Sequence, residues 1–405
     1  MGGCVTALLA AGDAAAYDFA PPTPGFTPDA VNTFQFYVGD EETYDDNLFR
    51  LPPGTVGVPG AVFPNASQSD SVNTSTVGAQ GKWDIARQEV EFNVRGNDNV
   101  FDHNTALNNF SYSGYGTWNW TAGPSLTGQL STIFDRSLAS FGETRYSGKD
   151  LVTSVEELGS ARYELGPHWT VYGVVRGSEV DHSAEAEVYN DFHNESGNAG
   201  VQYVNDANDT YAFEYQFTNI TFTQSTAAAQ AYDYKEDTVR FILHHAVSDK
   251  TLLDGYGGFL DRQYPGSGLG SYSGAIGRLA LTYNLTEKTQ FVLSGWHELH
   301  AYVDAESAYF VAQGVSFAPV WNATEKVSVT VLASYENQDY IASNSVIVTN
   351  PRHDEVSGEQ ITVHYTPRDA WAFNLFVRHE DRTSNQYVYS YRDNVISGNV
   401  TFRFW

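Results

Sequence analysis

The chain has 405 residues and carries 22 Lys and Arg against 49 Asp and Glu, and the field of this net charge of −27 excludes nucleic acid and other polyanions as partners. Its 26 Tyr, 24 Phe and 8 Trp exclude a disordered chain. Cys4, the single cysteine, excludes a disulfide framework and a thiolate metal site, and the longest apolar run, near Val5–Ala11, is far below the roughly 20 residues of a transmembrane helix.

Residues 1–16, MGGCVTALLAAGDAAA, have the apolar core and small-residue end of a signal peptide without its basic start, and 17–30 follow as a short periplasmic lead-in. From 31 to 405 the chain is one train of alternating strands with no linker. Strands are predicted at 31–49, 73–86, 88–98, 109–120, 125–136, 156–166, 169–179, 198–205 and 209–219. They continue at 237–248, 251–264, 272–285, 289–300, 309–322, 326–340, 355–366, 370–383 and 392–404. Short polar turns, such as Thr286–Lys288, Ala323–Glu325 and Pro367–Asp369, close hairpins. Longer polar connections fall between them, at about 50–72, 99–108, 137–155, 180–197, 220–234, 265–271, 301–308, 341–354 and 384–391.

Strict alternation of short and long connections is the plan of an outer-membrane barrel, with short turns in the periplasm and long loops outside the cell. The expectation is therefore an all-β fold, a single closed antiparallel transmembrane β-barrel of 18 strands, or 16 if the weak hairpin at 198–219 is absent. An even count puts both termini in the periplasm, and the last strand closes on the first. A soluble sandwich also alternates, but its strands usually have about 5–6 residues, and these are longer.

Period-2 reading separates two faces. Phe291, Leu293 and Leu299 oppose Ser294, Glu298 and His300; Phe373, Leu375 and Val377 oppose Asn374, Arg378 and Glu380. Arg in mid-bilayer lipid costs roughly 2–4 kcal/mol, so the charged set belongs in a polar lumen. That set is Arg95, Arg162, Glu164, Arg176, Arg240, Arg278, Glu298, Arg378 and Glu380. The arginines either brace the wall through Glu91, Glu164, Glu298 and Glu380 or form a track for a passing solute. Trp83, Trp118, Trp120, Trp169, Trp321, Trp371 and Trp405 sit at strand ends, several beside short turns, as a lipid-boundary girdle requires. Acids collect in loops and rims, at Asp40-Glu41-Glu42, Glu156-Glu157 and 179–195, so a conducting barrel would prefer cations.

Catalytic chemistry has no foothold. No Ser sits on a strand–helix elbow and no Gly-rich phosphate loop opens a helix. His182 and His193 with Asp181, Glu185 and Asp191 make a loose acidic loop more readily than a metal site, and His244 and His245 lie on opposite strand faces. The expectation is no enzyme, no cofactor and no metal.

VGDEETYDDNLFRLP (38–52), with Tyr44, Asp45, Asp46, Asn47 and Arg50, resembles the first strand and loop of the EpsL family of exopolysaccharide-biosynthesis outer-membrane proteins. The resemblance continues through YSGYGTWNWTAGPSLTGQL (112–130), SLASF (137–141), KTLLDGYGGFLDRQY (250–264), WHELHAYVDAESAY (296–309), LASYENQDY (332–340) and VRHEDRTSNQYVY (377–389). It implies a pore or scaffold for exopolysaccharide biosynthesis or export, with outer-membrane lipid, the barrel assembly machinery, polysaccharide and periplasmic export components as partners. The five motif residues would then form a turn and salt bridge at the outer rim, or contact glycan. The alternative function is a general or solute-specific diffusion porin, marked by a loop folded into the pore beside an Arg cluster. A structural barrel with a plugged lumen is the third.

Overall fold

The computed structural model describes residues 33–63, 65–142, 146–223, 233–265, 270–301, 307–342 and 350–404. The signal peptide, the lead-in, Trp405 and parts of six predicted loops lie outside the described residues.

Eighteen strands are present. They are β1 (Thr33–Asp45), β2 (Asp70–Ile85), β3 (Gln88–Phe101), β4 (Asn109–Ala122), β5 (Leu126–Leu138) and β6 (Leu151–Leu165). Next come β7 (Trp169–His182), β8 (Phe192–Val204), β9 (Thr210–Phe222), β10 (Tyr234–Ser248), β11 (Thr251–Gln263) and β12 (Tyr272–Thr286). The last are β13 (Thr289–Ala301), β14 (Ser307–Thr324), β15 (Val327–Ala342), β16 (His353–Arg368), β17 (Trp371–Ser384) and β18 (Tyr391–Phe404). Each pairs antiparallel with its sequence neighbours, and β1 pairs with β18 from Phe36↔Phe404 to Asp45↔Val395, which closes the barrel.

The weak hairpin at 198–219 is real and longer than predicted, because β8 starts at Phe192 and β9 ends at Phe222. The same extension shortens the predicted long loops: 180–197 shrinks to 183–191 and 137–155 to 139–150. At 13 residues or more, each strand is about 43 Å long or longer at 3.3 Å per residue, more than a tilted crossing of a 25 Å lipid band uses. The surplus rises beyond the lipid, where polar residues cost nothing, so the alternation of loops and turns alone does not mark the strand ends.

The outward positions follow one plan. Phe34, Phe36 and Val38 on β1, Leu279, Leu281 and Tyr283 on β12, and Phe373, Leu375 and Val377 on β17 are exposed and apolar. Toward the long-loop end most runs stop at a polar residue, such as Asp40, Asp98, Glu179, Glu195, Asp237, Asp261 and Glu359. Asp40, Glu42 and Glu157 therefore belong to outward strand positions rather than to loops, whereas Glu41 and Glu156 face inward. Trp83, Trp118, Trp120, Trp169, Trp321 and Trp371 face outward near the short turns, and Phe36 stacks on Phe404 across the seam at 6.0 Å between centroids.

Three short turns repeat every 38 residues: Ser248-Asp249-Lys250, Thr286-Glu287-Lys288 and Thr324-Glu325-Lys326. In each, the lysine Nζ donates to a carbonyl at the next short turn: Lys250 to Leu285 (3.4 Å), Lys288 to Ala323 (3.3 Å) and Lys326 to Pro367 (2.8 Å). Successive hairpins are thereby tied at the short-turn end. At the opposite end, Phe49, Phe101 and Leu107 form a buried cluster with Phe63, Leu138 and Phe141, joining three connections into a cap over β1–β6.

Candidate functional site

All nine predicted lumen residues face inward, because each is out of phase with the exposed apolar set of its strand. Their partners are only partly those expected. Arg278 binds Glu298 through two bonds (3.0 and 2.5 Å) as anticipated. Arg176 pairs instead with Glu156 (3.1 Å), Arg240 with Glu214 (2.6 Å) and Arg378 with Asp393 (2.9 Å). Arg95 donates to Ser113 Oγ (2.7 Å) and Arg162 to Gln202 Oε1 (2.8 Å). Glu164 is exposed near the short turns, and Glu380 accepts the Tyr391 hydroxyl. The bracing acids are therefore Glu156, Glu214, Glu298 and Asp393, while Glu91, Glu164 and Glu380 hold no arginine in a salt bridge among the described residues.

A regular unit runs around this wall. The Tyr172 hydroxyl donates to Glu214 (3.0 Å), which holds Arg240; the Tyr256 hydroxyl donates to Glu298 (2.6 Å), which holds Arg278; and Trp296 Nε1 donates to Glu336 (2.6 Å). Arg240 lies 5.7 Å over the Tyr256 ring and Arg278 4.9 Å over Trp296, so each cation rests on the aromatic of a neighbouring unit. Glu336 passes the chain to Gln338, which accepts from Arg382 (2.9 Å), and Arg382 lies 3.5 Å from Asp354. Asp354 binds Arg352, which is sandwiched between Tyr340 (4.0 Å) and Tyr389 (3.5 Å). Sequence reasoning missed Tyr172, Glu214, Tyr256, Trp296, Glu336 and Arg352. The signal was present for the aromatics: each stands in the polar phase of its strand, where a lipid-facing ring does not belong.

The outer-rim motif is a clasp on the β1–β18 seam. Arg50 Nη1 contacts Asp45 Oδ2 (2.9 Å) and Asp393 Oδ1 (3.0 Å), and Arg378 takes the other oxygen of Asp393. Asn47 Nδ2 donates to the Arg392 carbonyl (2.8 Å) and Asp46 accepts from the Asn394 backbone and side chain (2.8 and 2.6 Å). Tyr44 points outward and is exposed. Burial works against the Arg50 charge, but Asp45 and Asp393 outweigh it and raise its pKa above the ordinary value. Arg50 also adopts φ 53°, a left-handed conformation costly for a side-chain-bearing residue, which the clasp holds in place. Asp45, Asp46 and Asp393 bring oxygens close enough for a cation, but Arg50, Arg378 and Asn394 already engage them.

The weighed histidine pair does not converge. His182 is inward and bonds Asp191 (3.1 Å), while His193 is outward, 3.6 Å from Glu179.

Among the described residues, one connection reaches across the mouth of the barrel. The segment joining β5 to β6 starts at 139 and places Phe141 against Phe49 (4.6 Å between centroids). The Gly142 carbonyl then accepts from Arg382 Nη1 (3.4 Å) on the inner face of β17, far around the barrel from its own strands. Lys149 Nζ donates to the Asn108 carbonyl (2.5 Å), and Asp150 accepts the Ala184 amide (2.9 Å).

No protein-family model matches the chain, and no curated protein matches it. Solved structures do. A BenF-like porin from Pseudomonas fluorescens Pf-5 aligns at TM-score 0.51 with 9% identity, over 92% of this chain and 100% of that one. The fold is that of outer-membrane porins. OpdK from Pseudomonas aeruginosa aligns at TM-score 0.50 with 7% identity, over 93% of this chain and 100% of its own. OpdF of the same organism, solved in complex with glucuronate, gives the same TM-score, identity and coverage.

Proposed function

We propose that this chain is an outer-membrane porin that passes small hydrophilic solutes through a polar, constricted lumen. The observation that carries the reading is the Gly142 carbonyl, from the connection after β5, held by Arg382 on the inner face of β17, beside Arg50, Arg352 and Arg378, within a closed 18-stranded barrel. An ion-paired inner wall and an exposed apolar outer wall match a barrel with lipid outside and water within. The even strand number puts residues 33 and 404 at the short-turn end, which is the periplasmic one in this reading.

The EpsL-like motif supports the main expectation from the sequence, a part in exopolysaccharide biosynthesis or export with periplasmic partners. A polymer strand would have to displace the connection after β5, whereas a small solute would not, and this favours the porin. Reconstitution in planar bilayers tests it: discrete conductance steps are expected in KCl, larger when Phe141→Ala frees the loop from Phe49. The absence of any conductance refutes the porin, and polymer accumulating in the periplasm of a deletion strain favours export.

A further inference from the structure

One sector of the inner wall is unlike the rest. On β2–β4 the inward positions from Val72 to Gln80, Asn93 to Asn99 and Asn109 to Asn119 hold no carboxylate, and Arg95 is their single charge, in a chain with 49 acids. Amides and hydroxyls replace them and bond one another: Thr74 Oγ1 donates to Asn99 (2.9 Å), Thr76 Oγ1 to Asn97 (2.9 Å) and Asn99 Nδ2 to Ser111 (3.0 Å). β7 to β15 hold the aromatic–glutamate–arginine units described above.

Aromatic rings lie on inward glycines in both regions. Tyr37 is registered opposite Gly78, Tyr172 opposite Gly200 and Trp296 opposite Gly314. A Cβ on those glycines would stand 2.2, 2.4 and 2.2 Å from the respective rings, so each ring lies across its glycine rather than standing into the lumen. Such a pair covers backbone that would otherwise be wet. It also turns the second ring face toward the channel. On Trp296 that place is taken by Arg278; Tyr37 and Tyr172 are half-buried. The Tyr37 hydroxyl donates to Asn93 Oδ1 (2.8 Å), and Asn93 continues to Gln80 (3.1 Å) and Gln80 to Gln35 (3.0 Å).

We infer that the solutes this lumen favours are uncharged, hydroxyl-rich rings of one- or two-sugar size, resting on Tyr37 and bonded by the amides of β3. The inference rests on the porin reading and names its substrate class. Sugar hydroxyls donate and accept at once, and so do the side chains of Asn93, Asn97 and Asn99. The carbon-bound hydrogens on a sugar ring's face are apolar and suit an aromatic platform. At Arg240, Arg278 and Arg378 a carboxylate solute would have to displace acids already held there. Arg95, which bonds Ser113 and is in no salt bridge among the described residues, is the charge beside Tyr37 that would favour such a solute, and comparison with glucuronate weighs it.

The test uses the full chain in planar bilayers, with sucrose as the neutral probe and glucuronate as its charged counterpart. Sucrose is expected to interrupt the KCl current at concentrations where glucuronate does not. Tyr37→Ala is expected to weaken that occlusion about tenfold, the size of one aromatic contact, and Tyr37→Phe to retain most of it. Tyr215→Ala, which removes an outward ring, is expected to leave it unchanged. A current that sucrose never interrupts, stronger interruption by glucuronate, or indifference to Tyr37→Ala overturns the inference while the porin reading stands. Absence of current in every preparation removes the porin reading and the inference together.

Discussion

Replacing Arg50 by Met removes the cation that joins the two ends of the barrel wall. Arg50 Nη1 sits between Asp45 (2.9 Å) and Asp393 (3.0 Å), and the Asp393 side chain is fully buried. Breaking a buried pair by removing one partner typically costs about 3–5 kcal/mol, because a carboxylate is left desolvated without its counter-charge. Arg378 still holds Asp393 at 2.9 Å, and Asp45 keeps the Asn47 amide at 2.8 Å, which puts the expected loss at the lower end. A loss of about 3 kcal/mol is roughly a hundredfold in the folding equilibrium. Urea unfolding of the barrel reconstituted in vesicles, followed by tryptophan fluorescence, measures it. The double variant Arg50→Met/Asp45→Asn removes the charge left behind and is expected to recover about half of the loss, since neutral replacement of an ion pair is far less costly than halving it. A single-variant loss below about 1 kcal/mol, within the range of surface ion pairs, refutes the view that the clasp holds the seam. A double variant no better than the single one refutes the electrostatic account.

Leu375→Arg puts a charge on the lipid face at roughly 2–4 kcal/mol and is expected to impair assembly, whereas Asn374→Arg on the lumen face loses only its bonds to His364 (2.6 Å) and Asn399 (2.8 Å); equal damage in membrane-fraction yield means the faces are misassigned. Protease added to intact cells is expected to cut within 46–69, where Val56 is 93% exposed, and not at the short turns Thr286–Lys288 or Pro367–Asp369; cleavage at those turns reverses the orientation. Inward Glu41, Glu91 and Asp135 have no arginine in a salt bridge among the described residues, so reversal potentials across a KCl gradient are expected to show cation preference at low salt. That preference fades as the Debye length approaches about 8 Å at physiological ionic strength, and anion preference contradicts it.

Much of the barrel is determined locally. A strand between lipid and water must alternate, so Phe373, Leu375 and Val377 against Asn374, Arg378 and Glu380 declare both the strand and its two faces without any partner. The regular exchange of short and long connections does the same for closure and for the count of eighteen. The lumen pairings are a different matter. Arg240 meets Glu214 across 26 residues and Arg278 meets Glu298 across 20, because the register at each turn decides which inward side chains stand opposite. Glu91 and Glu164 have the right chemistry and the right face, but their register places no arginine within reach. The clasp is more remote still, with Arg50 and Asp393 separated by 343 positions. The motif around Arg50 was legible as a turn with a salt bridge; that its partner lies on the last strand became visible only when the sheet closed. The placing of the connection after β5 has the same origin. Nothing in residues 139–142 announces that they face Arg382, since that contact exists only across the curvature of the finished barrel.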